Sequence, residues 1–166
     1  SYSTVSRALA GHSQIPEKTR KRILKIADEM GYVPNNIAKS LVTKSTHTLG
    51  LVVSDITNLF FLETMEGIEE CAANYGYKVC FCNSNWDVDR EIECMNGLYE
   101  SSVDGVLIFP VSGNVDHLIK YQELFPMVFL NSIPENENCT YVSFDNYNNM
   151  SMIMEYLIGL GHKDIA

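Results

Sequence analysis

Residues 31 to 51 read GYVPNNIAKSLVTKSTHTLGL. Gly31 suits the position just past a helix end, where a left-handed backbone is needed. Pro34 suits the first position of a new helix and pushes Val33 toward an extended conformation. Ile37, Ala38 and Leu41 then fall on one helical face. A helix of about ten residues is marginal alone in water, because nucleation is costly and little propagation follows. The segment is therefore expected to be conditional, forming against a partner; a linker helix packed on its own domain is the alternative. With Thr48-Leu49-Gly50-Leu51 the pattern changes to apolar runs that suit buried strands.

Charge divides at the same place. Residues 1–48 carry net +5 and residues 49–166 carry net −14, for −9 in all. A basic head on an acidic body points to a polyanionic partner for the head alone, or else to a solvated helical surface. Of 166 residues, 46% are hydrophobic, enough for one ordinary domain plus a small one. No run approaches the ~20 apolar residues of a membrane span, and the first twenty residues lack the apolar core of a signal peptide. The chain opens on Ser1, so sequence upstream of it is expected.

Cys71, Cys80, Cys82, Cys94 and Cys139 are odd in number and include no CxxC pair. Buried free thiols in the reducing cytoplasm explain them better than a disulfide framework. His12, His47, His117 and His162 are scattered, so neither a metal site nor a cofactor is expected. Asn138-Cys139-Thr140 forms a glycosylation sequon, which carries nothing without a secretory signal.

In the head, residues 1–11 read as a short helix with Val5, Ala8 and Leu9 as its apolar stripe. Tyr2, Ser3, Ser6 and Arg7 fall outside the stripe, a set that suits base edges in a major groove and equally suits water. Pro16 opens a second helix, with Ile23, Ile26, Ala27 and Met30 expected inward. In the body, strands are expected at 49–53, 78–82, 105–109, 127–130 and 141–144. Helices are expected at 60–74, 89–100, 115–123 and 148–160, with another strand beginning at 163–166. This alternation gives an α/β fold with a doubly wound parallel sheet covered on both faces.

Such sheets bind ligands beyond the carboxyl ends of their strands. Asp55, Thr57, Asn58, Phe60 and Phe61 follow the first strand there, and Asn83, Ser84 and Asn85 the second. Phe109 closes the third, Asn131 and Ser132 follow the fourth, and Asp145 and Asn146 the fifth. Amides and carboxylates interleaved with rings suit a sugar or similar polyol. The same Asn and Asp types also cap helices, and the paired Phe also suit a core.

STVSRAL, TRKRI, GYVPNNIAKSL and LGLVVSDITNLFF, in this order and spacing, resemble the lactose-repressor/galactose-repressor family of bacterial transcription regulators. The resemblance covers the whole chain. It implies three parts: a helix-turn-helix headpiece over 1–33 with its first helix preceding Ser1, a hinge helix and linker over 34–48, and the first lobe of a periplasmic-binding-protein-like domain over 49–166. The second lobe is expected beyond Ala166. The implied activity is operator binding as a homodimer, controlled by a small effector such as a sugar.

Tyr2 and Ser3 would read bases, Ser6 and Arg7 bases or phosphates, and Thr19 and Asn35 phosphates. Pro34 to Val42 would fold on DNA, with Leu41 wedged into a central base step and Ala38 permitting close approach. Asn58, Phe60, Phe61, Phe109 and Asn131, with Asp145 beside them, would line the effector cleft. Ala10 and Pro16 depart from the family's usual residues in the headpiece, removing a polar contact and a helix cap; Asn131, Ser132 and Asn149 depart in the body, which leaves the effector open. A solute-binding module without a DNA role is the alternative. An enzyme is disfavoured: no GxGxxG follows a strand, and neither a P-loop nor GxSxG occurs.

Overall fold

The computed structural model describes residues 2–9, 11–32, 40, 45–135 and 138–165. Asn35, Ala38 and Leu41, and with them nearly all of the expected hinge helix, lie outside the described residues. The chain packs as two units, residues 1–44 and 45–166, and each is taken by itself.

The first unit holds α1 (Tyr2–Leu9) and α2 (Glu17–Glu29). They meet around Ala8, which is 1% exposed. Gly11, at φ +75°, ends the first helix. There the His12 N–H donates to the Arg7 carbonyl at 3.0 Å and the Gly11 N–H to that of Ala8 at 3.2 Å, satisfying two orphan acceptors. Gly31 ends α2 the same way, with Tyr32 donating to Ala27 at 2.8 Å. Pro16 precedes α2 with no side-chain cap. Ile23 and Ala27 are half-buried, but Ile26 and Met30, expected inward, are exposed. A helix of eight residues covers only one stripe of its thirteen-residue neighbour.

The second unit runs β1 (Thr48–Val53), α3 (Leu59–Asn74), β2 (Lys78–Asn83), α4 (Val88–Glu100) and β3 (Gly105–Ile108). It continues with α5 (Asp116–Ile119), a 3-10 turn (Lys120–Glu123), β4 (Met127–Leu130), β5 (Tyr141–Val142) and α6 (Asn146–Gly159). The sheet is parallel throughout, in the order β2-β1-β3-β4-β5. Strand β1 lies between β2 (Thr48 beside Lys78) and β3 (Leu49 beside Gly105).

Side chains alternate across β1. Leu51 and Val53 join Phe61, Phe109 and Leu130 on one face, while Val52 joins Met95, Leu98, Ile108, Leu118 and Phe129 on the other. Gly50 faces α4 so closely that a Cβ there would stand 2.6 Å from Leu98 Cδ1.

The alternation of strand and helix follows the sequence reading, with four corrections. Residues 163–165 form no strand. The expected helix over 115–123 tightens after Ile119 into a 3-10 turn. Burial on both faces holds for β1 and β3, whereas β2 and β5 sit at the edges with several exposed positions. An edge strand has a neighbour on one side only, so apolar residues along it are less completely covered. For the same reason Cys80 on β2 is exposed rather than buried; Cys71, on the helix α3, is exposed as well, and of the five free thiols only Cys139 is buried. Finally, α6 buries none of its residues despite Met150, Ile153, Tyr156 and Ile158.

Candidate DNA and effector sites

In the first unit, Ser3, Ser6 and Arg7 are exposed along α1, and Thr19 is half-buried in the first turn of α2. Tyr2 opens α1. Glu17 holds Arg20 and, at 3.9 Å, Lys21, while Glu29 lies 3.7 Å from Lys25. Arg7, Lys18 and Arg22 form no salt bridge among the described residues. The intrahelical pairs neutralise one part of α2 and leave those three cations available to an anionic partner.

In the second unit, the four strands β1, β3, β4 and β5 bring Asn58, Phe109, Asn131 and Asp145 to the carboxyl end of the sheet. After β1, Asp55 accepts the Thr57 hydroxyl at 2.7 Å and the Thr57 N–H at 2.9 Å, and these bonds hold its carboxyl below the ordinary 3.8. Asn58 caps α3 by accepting the Phe60 N–H at 3.0 Å. Asp145 caps α6 by accepting the Asn148 N–H at 3.0 Å, and its other oxygen accepts the Asn148 amide at 2.6 Å.

The adjacent phenylalanines split. Phe61 packs on Phe109 with centroids 4.8 Å apart, and both are buried in the core beneath that end. Phe60 projects outward at 53% exposure. A ring face is therefore presented by Phe60, while Phe61 and Phe109 form the floor under it. Asn131 is exposed at φ +51°, with its N–H held by the Val142 carbonyl at 2.7 Å. Its side-chain amide makes no hydrogen bond among the described residues, so its donors and acceptor remain available.

Two features of this end of the sheet escaped the sequence reading. Trp86, the sole tryptophan, follows β2 and is 56% exposed. It and Asn85 sit at φ +58° and +53°, conformations rare for bulky residues, and the Trp86 N–H is fixed by the Ser54 carbonyl at 3.0 Å. An unpaired aromatic one residue past a strand-end Asn-Ser-Asn run was the available signal. The second feature is Glu91, wholly buried on α4. It accepts the Val111 N–H at 2.8 Å and bonds His117 Nε2 at 2.6 Å, fixing the loop after β3. That loop, with Glu135, borders a depression of about 150 Å³ lined by Gly113, Asn114, Val115 and Asp116. No local pattern announces a pair 26 residues apart.

Among the described residues no group of three or more His, Cys, Asp or Glu could hold a metal ion, and no helix is long and apolar enough to cross a membrane.

Residues 46–166 match the family described as periplasmic binding proteins and sugar binding domain of LacI family, and residues 1–35 match bacterial regulatory proteins, lacI family. The chain is 34% identical over its whole length to catabolite control protein A of Priestia megaterium, half of which it covers. It resembles the crystal structure of a periplasmic binding protein/LacI transcriptional regulator from Alkaliphilus metalliredigens complexed with D-xylulofuranose (29% identity, TM-score 0.55). That match covers 68% of this chain and 41% of that one. The lac repressor dimer bound to operator and the anti-inducer ONPF shares the fold, at 24% identity and a TM-score of 0.83 over all of this chain and 51% of that one. The chain thus spans about half the length of the curated relatives it matches.

Proposed function

We propose, for a chain that belongs to the LacI family of bacterial regulatory proteins, that it is part of a DNA-binding transcription regulator, a repressor in its basal action. Its operator affinity is set by a small sugar-like effector, and it works as a homodimer in the cytoplasm without catalysing a reaction. The observation that carries this reading is the presence of both family matches on one chain, the DNA-binding one on the basic unit and the sugar-binding one on the acidic unit.

Tyr2, Ser3, Ser6 and Arg7 on α1 meet base edges and phosphates, and Thr19 and Asn35 meet phosphates. Ala38 and Leu41 enter the minor groove from the connector. At the carboxyl end of the sheet, Phe60 and Trp86 offer ring faces to a sugar, while Asn131 offers an amide with unused hydrogen-bonding capacity. Phe61 and Phe109 support Phe60 from below. Asn58 spends its side-chain oxygen on capping and keeps its NH2 group, while both Asp145 oxygens already accept from Asn148 and reach an effector only through their remaining lone pairs. Effector binding biases the connector between folded and unfolded forms, a two-state element acted on from a distance.

The test uses the full-length protein and a duplex it enriches from a randomised pool. Arg7→Ala should weaken binding and lower the slope of log affinity against log salt by about one. Leu41→Ala should reduce the bend of the duplex more than it reduces nonspecific binding. No enriched duplex, or an unchanged salt slope for Arg7→Ala, would overturn the assignment.

A further inference from the structure

The second unit begins at a saturated carboxylate. Asp104, just before β3, takes hydrogen bonds from three successive residues at the start of the unit. The Ser45 hydroxyl donates to Oδ2. The Thr46 N–H donates to Oδ1 at 2.8 Å, and the His47 N–H to Oδ2 at 3.1 Å. The Thr46 hydroxyl lies 3.0 Å from Oδ1 and 2.9 Å from the Ser102 carbonyl, so its one proton serves either acceptor. These partners are 57 to 59 residues away in sequence.

The backbone continues the attachment. The Lys78 N–H donates to the His47 carbonyl at 2.9 Å and the Asp104 N–H to the Thr48 carbonyl at 2.8 Å. His47 and Ser102 are held at φ +51° and +54°, which non-glycine residues keep only where the surroundings impose it. The carboxylate therefore fixes a sharp, unfavourable corner at the point where the chain joins the sheet.

We propose that Asp104 is the positioning residue through which the sheet unit acts on DNA binding, by holding residues 45–47 at the start of that unit. This rests on the regulator reading above. A charged acceptor with two oxygens suits the arrangement, because amide donors point at both of them. Asparagine keeps the shape but presents an NH2 group to a backbone N–H, so the corner loses its hold without loss of packing. By linkage, whatever the sheet unit does to DNA binding, DNA binding does in return to the sheet unit. Binding a duplex should then alter the β3 end of the sheet.

The experiment measures amide hydrogen exchange in the full-length protein and in Asp104→Asn, without DNA and with the enriched duplex. Without DNA, the Thr46 and His47 amides of the variant should exchange at least about tenfold faster while Leu51 and Val53 stay protected. With DNA, the wild type should gain protection at Gly105 and Val106, and the variant should lose that response together with about tenfold in duplex affinity. A carboxylate with only a structural role would lower thermal stability and leave the response to duplex intact.

If Asp104→Asn fails to fold, Ser45→Ala combined with Thr46→Val removes two hydroxyl donors from the same oxygens and should give a smaller change of the same kind. Thr46 and His47 amides as protected in the variant as in the wild type overturn the clamp. Released amides with an unchanged duplex response overturn the coupling. A wild type that enriches no duplex overturns the regulator reading, and the coupling with it, whereas the clamp is still read from exchange without DNA.

Discussion

The two ends of the parallel sheet use similar residues to opposite effect. At the amino end, Ser45, Thr46, His47, Ser102 and Asp104 spend their hydrogen-bonding groups on one another. At the carboxyl end, Asn58, Asp87 and Asp145 each spend one oxygen on a helix start, and Phe60, Trp86 and Asn131 face outward. Both ends hold non-glycine residues at positive φ: His47 and Ser102 at one, Asn85, Trp86 and Asn131 at the other. At the amino end that conformation closes a junction. At the carboxyl end it turns side chains toward solvent. The same backbone strain thus accompanies two different surroundings: donors and acceptors already taken at one end, and side chains facing solvent at the other.

The contrast is most severely tested at Glu91, the buried exception at the open end. Glu91→Ala should cost roughly 3 kcal/mol in urea unfolding, because the Val111 N–H and His117 Nε2 lose their acceptor. A loss under about 1 kcal/mol would mean the loop after β3 is not held from below. Next comes the shared core. Gly50→Ala should cost about 2 kcal/mol by driving a methyl into Leu98, read from the same transition. A neutral outcome would show that α4 shifts freely on the sheet.

Trp86→Gly should raise stability by about 1 kcal/mol by removing left-handed strain. It should also remove whatever part of a sugar-dependent change in emission comes from Trp86, the one tryptophan of residues 1–166. Sugar affinity in the variant, measured by calorimetry, equal to wild type would remove Trp86 from the candidate site.

The smallest change sought is the pH dependence at Asp104. Burial pushes its carboxyl up, but the bonds from Ser45, Thr46 and His47 outweigh that and hold it below 3.8. The unfolded chain therefore takes up the proton first as pH falls. The stabilisation is complete well above pH 3.8 and disappears as pH drops through the lowered value. The gap in urea midpoint between wild type and Asp104→Asn should be present at pH 7 and narrow in strong acid. A gap independent of pH would show that the charge is not what holds the corner.

Much of this fold was legible in local pattern. Gly31 was readable as a helix end, the LGLVV and MVFL runs as strands, and their alternation with amphipathic stretches as a parallel sheet. Pairings over long sequence distances were not legible. Glu91 with His117, Asp104 with residues 45–47, and Phe61 with Phe109 depend on which strands become neighbours. Strand order also decided which thiols were covered: β2 is an edge, so Cys80 is exposed although its sequence surroundings are apolar. The candidate site was legible as a set of strand ends. The division of Phe60 from Phe61 was not, because adjacent residues on a helix differ by about 100° in direction and only the core decides which one turns inward.

The position of β1 has a consequence for biosynthesis. Of the five strands in this sheet it is the first to be made, yet both of its neighbours come later, β2 about thirty residues on and β3 later still. At ribosomal speeds of roughly 5 to 20 residues per second, Leu49 to Val53 spend seconds emerging with nothing to pair with. A mutation that slows translation between β1 and β2 should therefore lower the yield of soluble protein without touching a single contact in the finished molecule.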